Sequence, residues 1–99
     1  MKQLTQISII ITAILLVLVS CQSGPPEIEE GLKPAELFKR AQEAVINDKN
    51  YKEAMAYYKA ALERYPNDVQ NRVIAEYEIA FLHYKMGEVK TAEQLFRSL

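Results

Sequence analysis

The sequence predicts an all-α fold of four helices arranged as two similar helical hairpins, and three observations support this prediction. Apolar residues between positions 34 and 99 recur at the three- and four-residue spacing of amphipathic helices. No alternating β-branched run and no hairpin turn signal interrupts them. The pattern of apolar and small residues that starts at Tyr51 recurs at Val89, an offset of 38 residues. The 99-residue length allows one small domain.

The first twenty residues have the layout of an export signal. Lys2 gives a positive start, and residues 7–19 form an apolar run of 13 residues, shorter than the roughly 20 needed to span a bilayer. Residues 18–21, Leu-Val-Ser-Cys, resemble the bacterial lipobox, which is cut before a cysteine that carries diacylglycerol. We therefore expect residues 1–20 to be a cleaved lipoprotein signal peptide and Cys21 the lipidated first residue. The alternative is an uncleaved membrane anchor with a free thiol.

Lipidation at Cys21 would decide where the protein resides. Two or three acyl chains, each CH₂ contributing roughly 0.8 kcal/mol, hold a protein at a bilayer almost permanently. Gln22 rather than Asp follows the cysteine, which in bacteria that use an Asp-retention rule indicates the outer membrane. We expect a lipid-anchored protein of the bacterial cell envelope, on the periplasmic face of the outer membrane.

Residues 21–33 have the composition of a flexible tether. Prolines, glycines and glutamates in this segment neither sustain a helix nor bury a core. We expect a plain spacer without contacts to the helices. Extended at about 3.1 Å per residue, its dozen residues would reach about 35 to 40 Å from the membrane.

The first two helices are delimited by proline and asparagine. Pro34 suits the first helical position because its φ is fixed and it has no amide donor to satisfy, and the first helix is predicted over about 34–47. Asn50 with Glu53 three residues later resembles a capping box that opens the second helix. That helix is predicted to stop before Pro66.

The third helix is predicted to be the interior one. Asn67 and Gln70 resemble a second capping pair, and the helix runs over about 68–86 to Gly87, which supplies a left-handed C-cap. Its apolar residues occupy two faces, so we expect contacts with neighbours on both sides. A fourth helix begins at about Glu88 and is still periodic at the last residue.

The repeated spacing resembles the tetratricopeptide repeat family, whose unit of about 34 residues is a helical hairpin. The resemblance implies that the matching residues of the 34–99 domain pack its helices together, with small alanines where helix axes approach within about 8 to 10 Å. These residues are Phe38, Ala41, Val45, Tyr51, Ala54, Tyr58, Ala61, Ile79, Ala80, Ala92 and Phe96. The sequence departs from the family at Gln42, where glycine is usual, and by four extra residues before the second repeat.

In this family the first helix of each hairpin lines a concave groove. The resemblance therefore implies a peptide-binding surface in the second repeat formed by Ile74, Tyr77, Phe81, Tyr84 and Lys85. The corresponding residues of the first repeat are Glu36, Lys39, Glu43, Ile46 and Asn47. The alternative is that a further helical hairpin packs over the second set.

Composition excludes several classes of function. Twelve Lys and Arg against thirteen Asp and Glu give a net charge of -1, which disfavours a nucleic-acid partner. One cysteine and one histidine cannot form an internal disulfide or a two-ligand Cys/His metal site. Ser23 and Ser98 are the only serines after residue 20, so a hydrolase triad with His83 is not expected, and we place His83 in the core. We predict no enzyme activity, no metal and no cofactor.

A lipidated cysteine, a proline-containing spacer and repeats that end in Tyr65, Pro66 and Asn67 together resemble the BamD-like lipoproteins. Those proteins are periplasmic components of the outer-membrane β-barrel assembly machine. The resemblance implies unfolded barrel clients and the barrel-shaped insertase as partners, although that family is more than twice as long. Alternatives are a general lipoprotein scaffold for cell-division, secretion or cell-wall enzyme complexes, and a noncatalytic activator of a peptidoglycan enzyme.

Two repeats are fewer than the three or so that usually bury a continuous core. The uncapped apolar end of the fourth helix adds to this shortage of core. We therefore expect a solenoid that is truncated or completed by a partner.

Overall fold

The computed structural model describes residues 26–99, and this part of the chain contains four α-helices and no strand. The all-α prediction is confirmed there. We number the helices α1 (Pro34–Asp48), α2 (Tyr51–Arg64), α3 (Val69–Lys85) and α4 (Val89–Arg97). The predicted signal peptide, residues 1–20, and the predicted lipidation site, Cys21, lie outside the described residues.

Each helix packs against its neighbours in the chain, so α2 lies between α1 and α3, and α3 lies between α2 and α4. The expectation that α3 contacts neighbours on both sides is confirmed. Helix α2 also lies between two neighbours and buries six side chains, whereas α3 buries four of its seventeen. Large apolar side chains of α3 remain on the surface.

Small side chains dominate the interfaces between the helices. Ala41, Ala54, Ala75 and Ala80 have no exposed surface, and Leu37 is the one large side chain buried to the same extent among the described residues. Alanine allows two helix backbones to approach closely because nothing beyond Cβ separates them. The core is therefore held by close backbone approach around alanines, with larger residues at its margins.

Side-chain caps open α2 and α3. The Asn50 Oδ1 atom accepts the backbone N–H of Glu53 at 3.1 Å, in the predicted position. At α3 the cap is Asp68, whose Oδ1 accepts the backbone N–H of Asn71 at 3.3 Å. The predicted cap at Asn67 is therefore wrong by one residue, because the turn that follows Pro66 extends through Asn67.

Gly87, the second residue after α3, has the left-handed backbone predicted for it. Gly87 has a φ of 82° and donates its N–H to the Tyr84 carbonyl at 3.0 Å, while Glu88 donates to the His83 carbonyl at 2.9 Å. This arrangement satisfies the last carbonyls of the helix and turns the chain into α4. Lys49, after α1, also has a positive φ, of 48°.

Residues 28–32, which we call the N-terminal strap, pack against the helices. Leu32 is buried, and Ile28 is partly buried against the core. The Arg64 guanidinium donates hydrogen bonds to the carbonyls of Glu29 and Ile28 at 2.6 and 3.0 Å, and the Tyr65 hydroxyl donates to the Leu32 carbonyl at 2.6 Å. The prediction of a contact-free spacer up to residue 33 is therefore wrong for residues 28–32. Their nonhelical backbone leaves carbonyls free to accept these bonds.

Replacing Ala54 with leucine should overpack the interior. Ala54 has no exposed surface, so three extra carbons must displace neighbouring helices, at a cost of about 1 to 3 kcal/mol in the free energy of unfolding. Urea denaturation followed by circular dichroism measures this cost. The control is Ala35→Leu, the same substitution at an exposed alanine of α1. It should change the free energy of unfolding by less than about 0.5 kcal/mol. Equal effects at both positions would contradict the packing described here.

Candidate partner-binding surface

Helix α3 carries a row of large apolar side chains on its surface. Ile74, Tyr77, Phe81 and Tyr84, which we call the α3 stripe, are 41%, 49%, 37% and 55% exposed. Isolated apolar residues are normal on protein surfaces, whereas a continuous row along one helix is typical of an interaction site. The four apolar residues predicted to line a groove thus lie at the surface.

A cleft of about 200 Å³ lies between α1 and α3, with α2 as its floor. Because α1 and α3 both pack on α2, their facing sides leave this space between them. We call it the α1–α3 cleft. It is lined by Gln42, Val45 and Ile46 of α1, Tyr51 and Tyr58 of α2, and Glu78, Phe81, Leu82 and Lys85 of α3.

The cleft contains two of the five predicted groove residues, Phe81 and Lys85. The other three, Ile74, Tyr77 and Tyr84, lie outside its lining on the same helix. Tyr84 remains connected to the cleft because its ring stacks on Phe81, with centroids 6.3 Å apart. Tyr77 instead meets α4, and its ring contacts that of Phe96 edge to face at 5.5 Å. The stripe therefore extends the cleft on one side and reaches α4 on the other.

Charges of opposite sign lie on the α3 wall of the cleft. The Lys85 Nζ atom lies 5.3 Å from the centroid of the Phe81 ring, within range of a cation–π interaction. Glu78 lies two turns before Lys85 on the same wall. An occupant would therefore meet an apolar floor, one ammonium and one carboxylate.

Tyr58 forms part of the floor, and its surroundings keep its hydroxyl neutral. Burial, and secondarily the negative charge of Glu78, raises the pKa of Tyr58 from 10.0 to about 12. Both causes disfavour the phenolate. At neutral pH the cleft therefore presents a phenol that can donate or accept a hydrogen bond.

The first-repeat residues do not join this surface as predicted. Ile46 lines the cleft, and 78% of it is exposed. Glu36, Lys39, Glu43 and Asn47 instead line a separate polar depression of about 430 Å³ together with Tyr57 of α2. The first-repeat residues at these positions therefore do not form one surface with those of the second repeat. The positions at 36, 39, 43 and 47 share one side of α1, whereas Gln42, Val45 and Ile46 share the side that faces α3.

The predicted packing residues lie at the interfaces between helices. The structure buries Ala41, Ala54, Tyr58, Ala61, Ile79, Ala80 and Ala92. Phe38, Val45 and Tyr51 are partly buried against this core, and Phe96 is partly buried beside Tyr77. His83, predicted as a core residue, is only partly buried, and its Nδ1 lies 3.4 Å from Glu88 Oε1.

Several lining residues were not expected from the sequence. Gln42, Glu78 and Leu82 received no role in the predicted groove, and Tyr58 was assigned to packing alone. For the α3 residues of the cleft, the sequence did contain a signal. Positions 78, 81, 82 and 85 are spaced so that they share one side of the helix.

Within residues 26–99, no group of three His, Cys, Asp or Glu side chains is placed to hold a metal ion. No helix in that same range combines the length and apolar character needed to cross a bilayer. No family model, curated protein or solved structure matches this chain. We therefore infer its function from its own residues.

The Tyr58 environment predicts a loss of stability at alkaline pH. Because the pKa is about 12 in the folded state and 10.0 without the fold, the unfolded chain releases this proton first as pH rises. The contribution of Tyr58 to the free energy of unfolding therefore falls between about pH 10 and pH 12. Tyr58→Phe should lose stability less steeply than the unaltered protein across that range in urea denaturation series.

Tyr84→Phe, at an exposed tyrosine of α3, is the matched control and should keep the slope of the unaltered protein. A Tyr58→Phe protein with that same slope would show that Tyr58 does not titrate differently in the folded chain.

Proposed function

We propose that this chain is a membrane-anchored protein-interaction module built from two tetratricopeptide-like helical hairpins. The repeat of the Tyr51 pattern at Val89 supports this assignment. Its equivalent small residues, Ala54 and Ala92, are only 0% and 2% exposed. Packing of each helix on the next in chain order is consistent with the same architecture.

The observation that carries the interaction role is the α3 stripe beside the α1–α3 cleft. At about 200 Å³ the cleft is smaller than the roughly 300 to 1,000 Å³ typical of small-molecule sites. A space of this size suits the side chains of a protein segment lying across the surface. Tyr77, Phe81 and Tyr84 offer large contact areas at low cost in side-chain entropy, as aromatic residues do at protein interfaces.

Attachment to the membrane is proposed through lipidated Cys21, after removal of residues 1–20. The apolar run of residues 7–19 and the lipobox-like residues 18–21 support this. The proposed location is the bacterial cell envelope, on the periplasmic face of the outer membrane, as favoured by Gln22.

The process that we propose is assembly of outer-membrane β-barrel proteins, with the insertase and unfolded barrel clients as partners. The resemblance of the lipobox, spacer and repeat end to BamD-like lipoproteins supports it. Exposed aromatic side chains on α3 suit extended client segments rich in aromatic residues. A general scaffold for division, secretion or cell-wall enzyme complexes is the competing role, and the experiment below separates the two.

Truncating two residues that line the cleft should remove the partner. Phe81 and Ile46 are both exposed, so the double change to alanine should leave the helices intact while removing apolar contact area. We expect recovery of insertase subunits with the tagged full chain to fall at least about tenfold, which corresponds to about 1.4 kcal/mol of lost binding free energy. Purification from gently solubilised membranes with quantitative mass spectrometry measures it.

Val89→Ala combined with Leu99→Ala is the matched control, since both residues are exposed and neither lines the cleft. Undiminished recovery with the Phe81/Ile46 variant would exclude the cleft as the binding surface. Recovery of division or cell-wall proteins in place of the insertase would contradict the assembly role and favour the scaffold.

Cys21 should carry the lipid. Cys21→Ser removes the only thiol of the chain and should abolish incorporation of labelled palmitate and cleavage after residue 20. Ser20→Ala is the control, because alanine is common before a lipobox cysteine, and it should retain both. Absence of label from the unaltered protein would exclude lipidation at Cys21. If residues 1–20 also remained attached, they would be an uncleaved anchor.

A further inference from the structure

Helix α3 leaves more large apolar side chains on the surface than the rest of the described chain together. Six of the nine such residues within 26–99 belong to it, and none belongs to α2. Glu78 and Lys85 lie beside them, on the α3 wall of the α1–α3 cleft. We infer that this face binds a second copy of the chain, with the two α3 helices antiparallel about a two-fold axis at Phe81. The inference does not depend on attachment at Cys21 or on the identity of the partner proposed above.

The order of charges on α3 is self-complementary. Glu78 lies three residues before Phe81 and Lys85 lies four residues after it, and all three positions share one side of the helix. A two-fold rotation at Phe81 reverses this order in the second copy, so each Glu78 lies opposite the Lys85 of the other copy. Every contact of such a symmetric interface occurs twice. The dimer therefore contains two equivalent ion pairs.

Neither charge is neutralised by another side chain of the described residues. The ion pairs within 26–99 join other side chains. Glu78 and Lys85 are about 10 Å apart along the axis of α3, which is too far for them to pair with each other. Lys85 is exposed, and its ammonium contacts the Phe81 ring at the proposed axis. A second copy supplies an opposite charge for each of them.

The same antiparallel arrangement brings aromatic side chains together. Phe81 meets its own counterpart at the axis, and Tyr84 lies level with the gap between Tyr77 and Phe81 of the second copy. Each of these three side chains is more than one-third exposed in a single copy. Contacts between aromatic rings stabilise an interface beyond the apolar area that they bury. A net charge of -1 opposes the association of two copies only weakly.

The size of this face predicts a weak dimer. Tyr77, Phe81 and Tyr84 together expose on the order of 300 Å² per copy, well below the roughly 800 Å² that each partner buries in a typical stable interface. We therefore expect a reversible equilibrium with a Kd in the micromolar range. Because the dimer covers Phe81 and Lys85, a second copy and the proposed partner compete for the same surface.

Sedimentation equilibrium tests the dimer in the full chain, purified in a density-matched detergent with micelles in excess. Glu78→Lys and Lys85→Glu each replace two attractive contacts with two repulsive ones, so each variant alone should raise the Kd at least about tenfold. An equal mixture of the two variants should restore association. In the mixed dimer one copy carries two positive charges at these positions and the other carries two negative charges.

Glu63→Lys and Lys52→Glu are the matched controls. They change the net charge by the same amounts at exposed positions of α2 that do not line the cleft. Each control, and the mixture of both, should keep the Kd of the unaltered protein. Circular dichroism establishes that every variant retains its helices.

A cross-link provides evidence that requires no variant. A carbodiimide joins a carboxylate to an amine that is in direct contact with it. When isotopically light and heavy chains are mixed, peptides that join Glu78 to Lys85 should contain one light and one heavy partner, which identifies the link as one between copies.

Unaltered protein that remains monomeric at every concentration would overturn the inference. A mixture of the two charge variants that associates no better than either alone would contradict the pairing of Glu78 with Lys85, as would control variants that weaken the dimer equally. Assemblies larger than two copies would exclude a closed two-fold interface. Recovery of the insertase is measured separately, so failure of the dimer is distinguishable from failure of the proposed function.

Discussion

The close approach of α2 to both α1 and α3 is the constraint on which the rest of this structure depends. Ala54 has no exposed surface, and Ala61 on the same helix is also buried. Short side chains at these positions let two helices lie against α2. Among the described residues, α1 and α3 form no comparable interface with each other. The α1–α3 cleft is the space that results, and Tyr58 lies at its floor because it projects between the two flanking helices.

Helix number and extent followed from local signals in the sequence. Pro34, Pro66 and Gly87 restrict the backbone at their own positions, so the helix limits they predict lie within a residue or two of those in the structure. The cap at Asp68 was missed because Asn67 and Asp68 are both good cap residues, and the turn between them and Tyr65 decides which is used. The strap was missed because its contacts join positions about 35 residues apart.

The surface could be predicted in part. The resemblance to tetratricopeptide repeats implied a surface role for Ile74, Tyr77, Phe81 and Tyr84 of α3, and the structure exposes all four. The side of α1 that faces these residues depends on the angles at which α1 and α3 cross α2. Those angles depend on the sizes of side chains on all three helices. The family resemblance contains no such information for this chain: its repeat positions group Glu36 and Lys39 with Ile46, although they border a different depression.

The hydrogen bonds that hold the strap have a consequence for how the chain tolerates mutation. Arg64 and Tyr65 recognise carbonyl oxygens of the strap, and every amino acid supplies a carbonyl at that point of the backbone. Substitution at Glu29 therefore leaves its bond to Arg64 available, whereas substitution at Arg64 removes two bonds at once. Substitutions at Glu29 and Glu30 should therefore be tolerated better than substitutions at Arg64. Leu32 and Ile28 remain constrained by their packing against the core, and Gly31 by its positive φ of 79°.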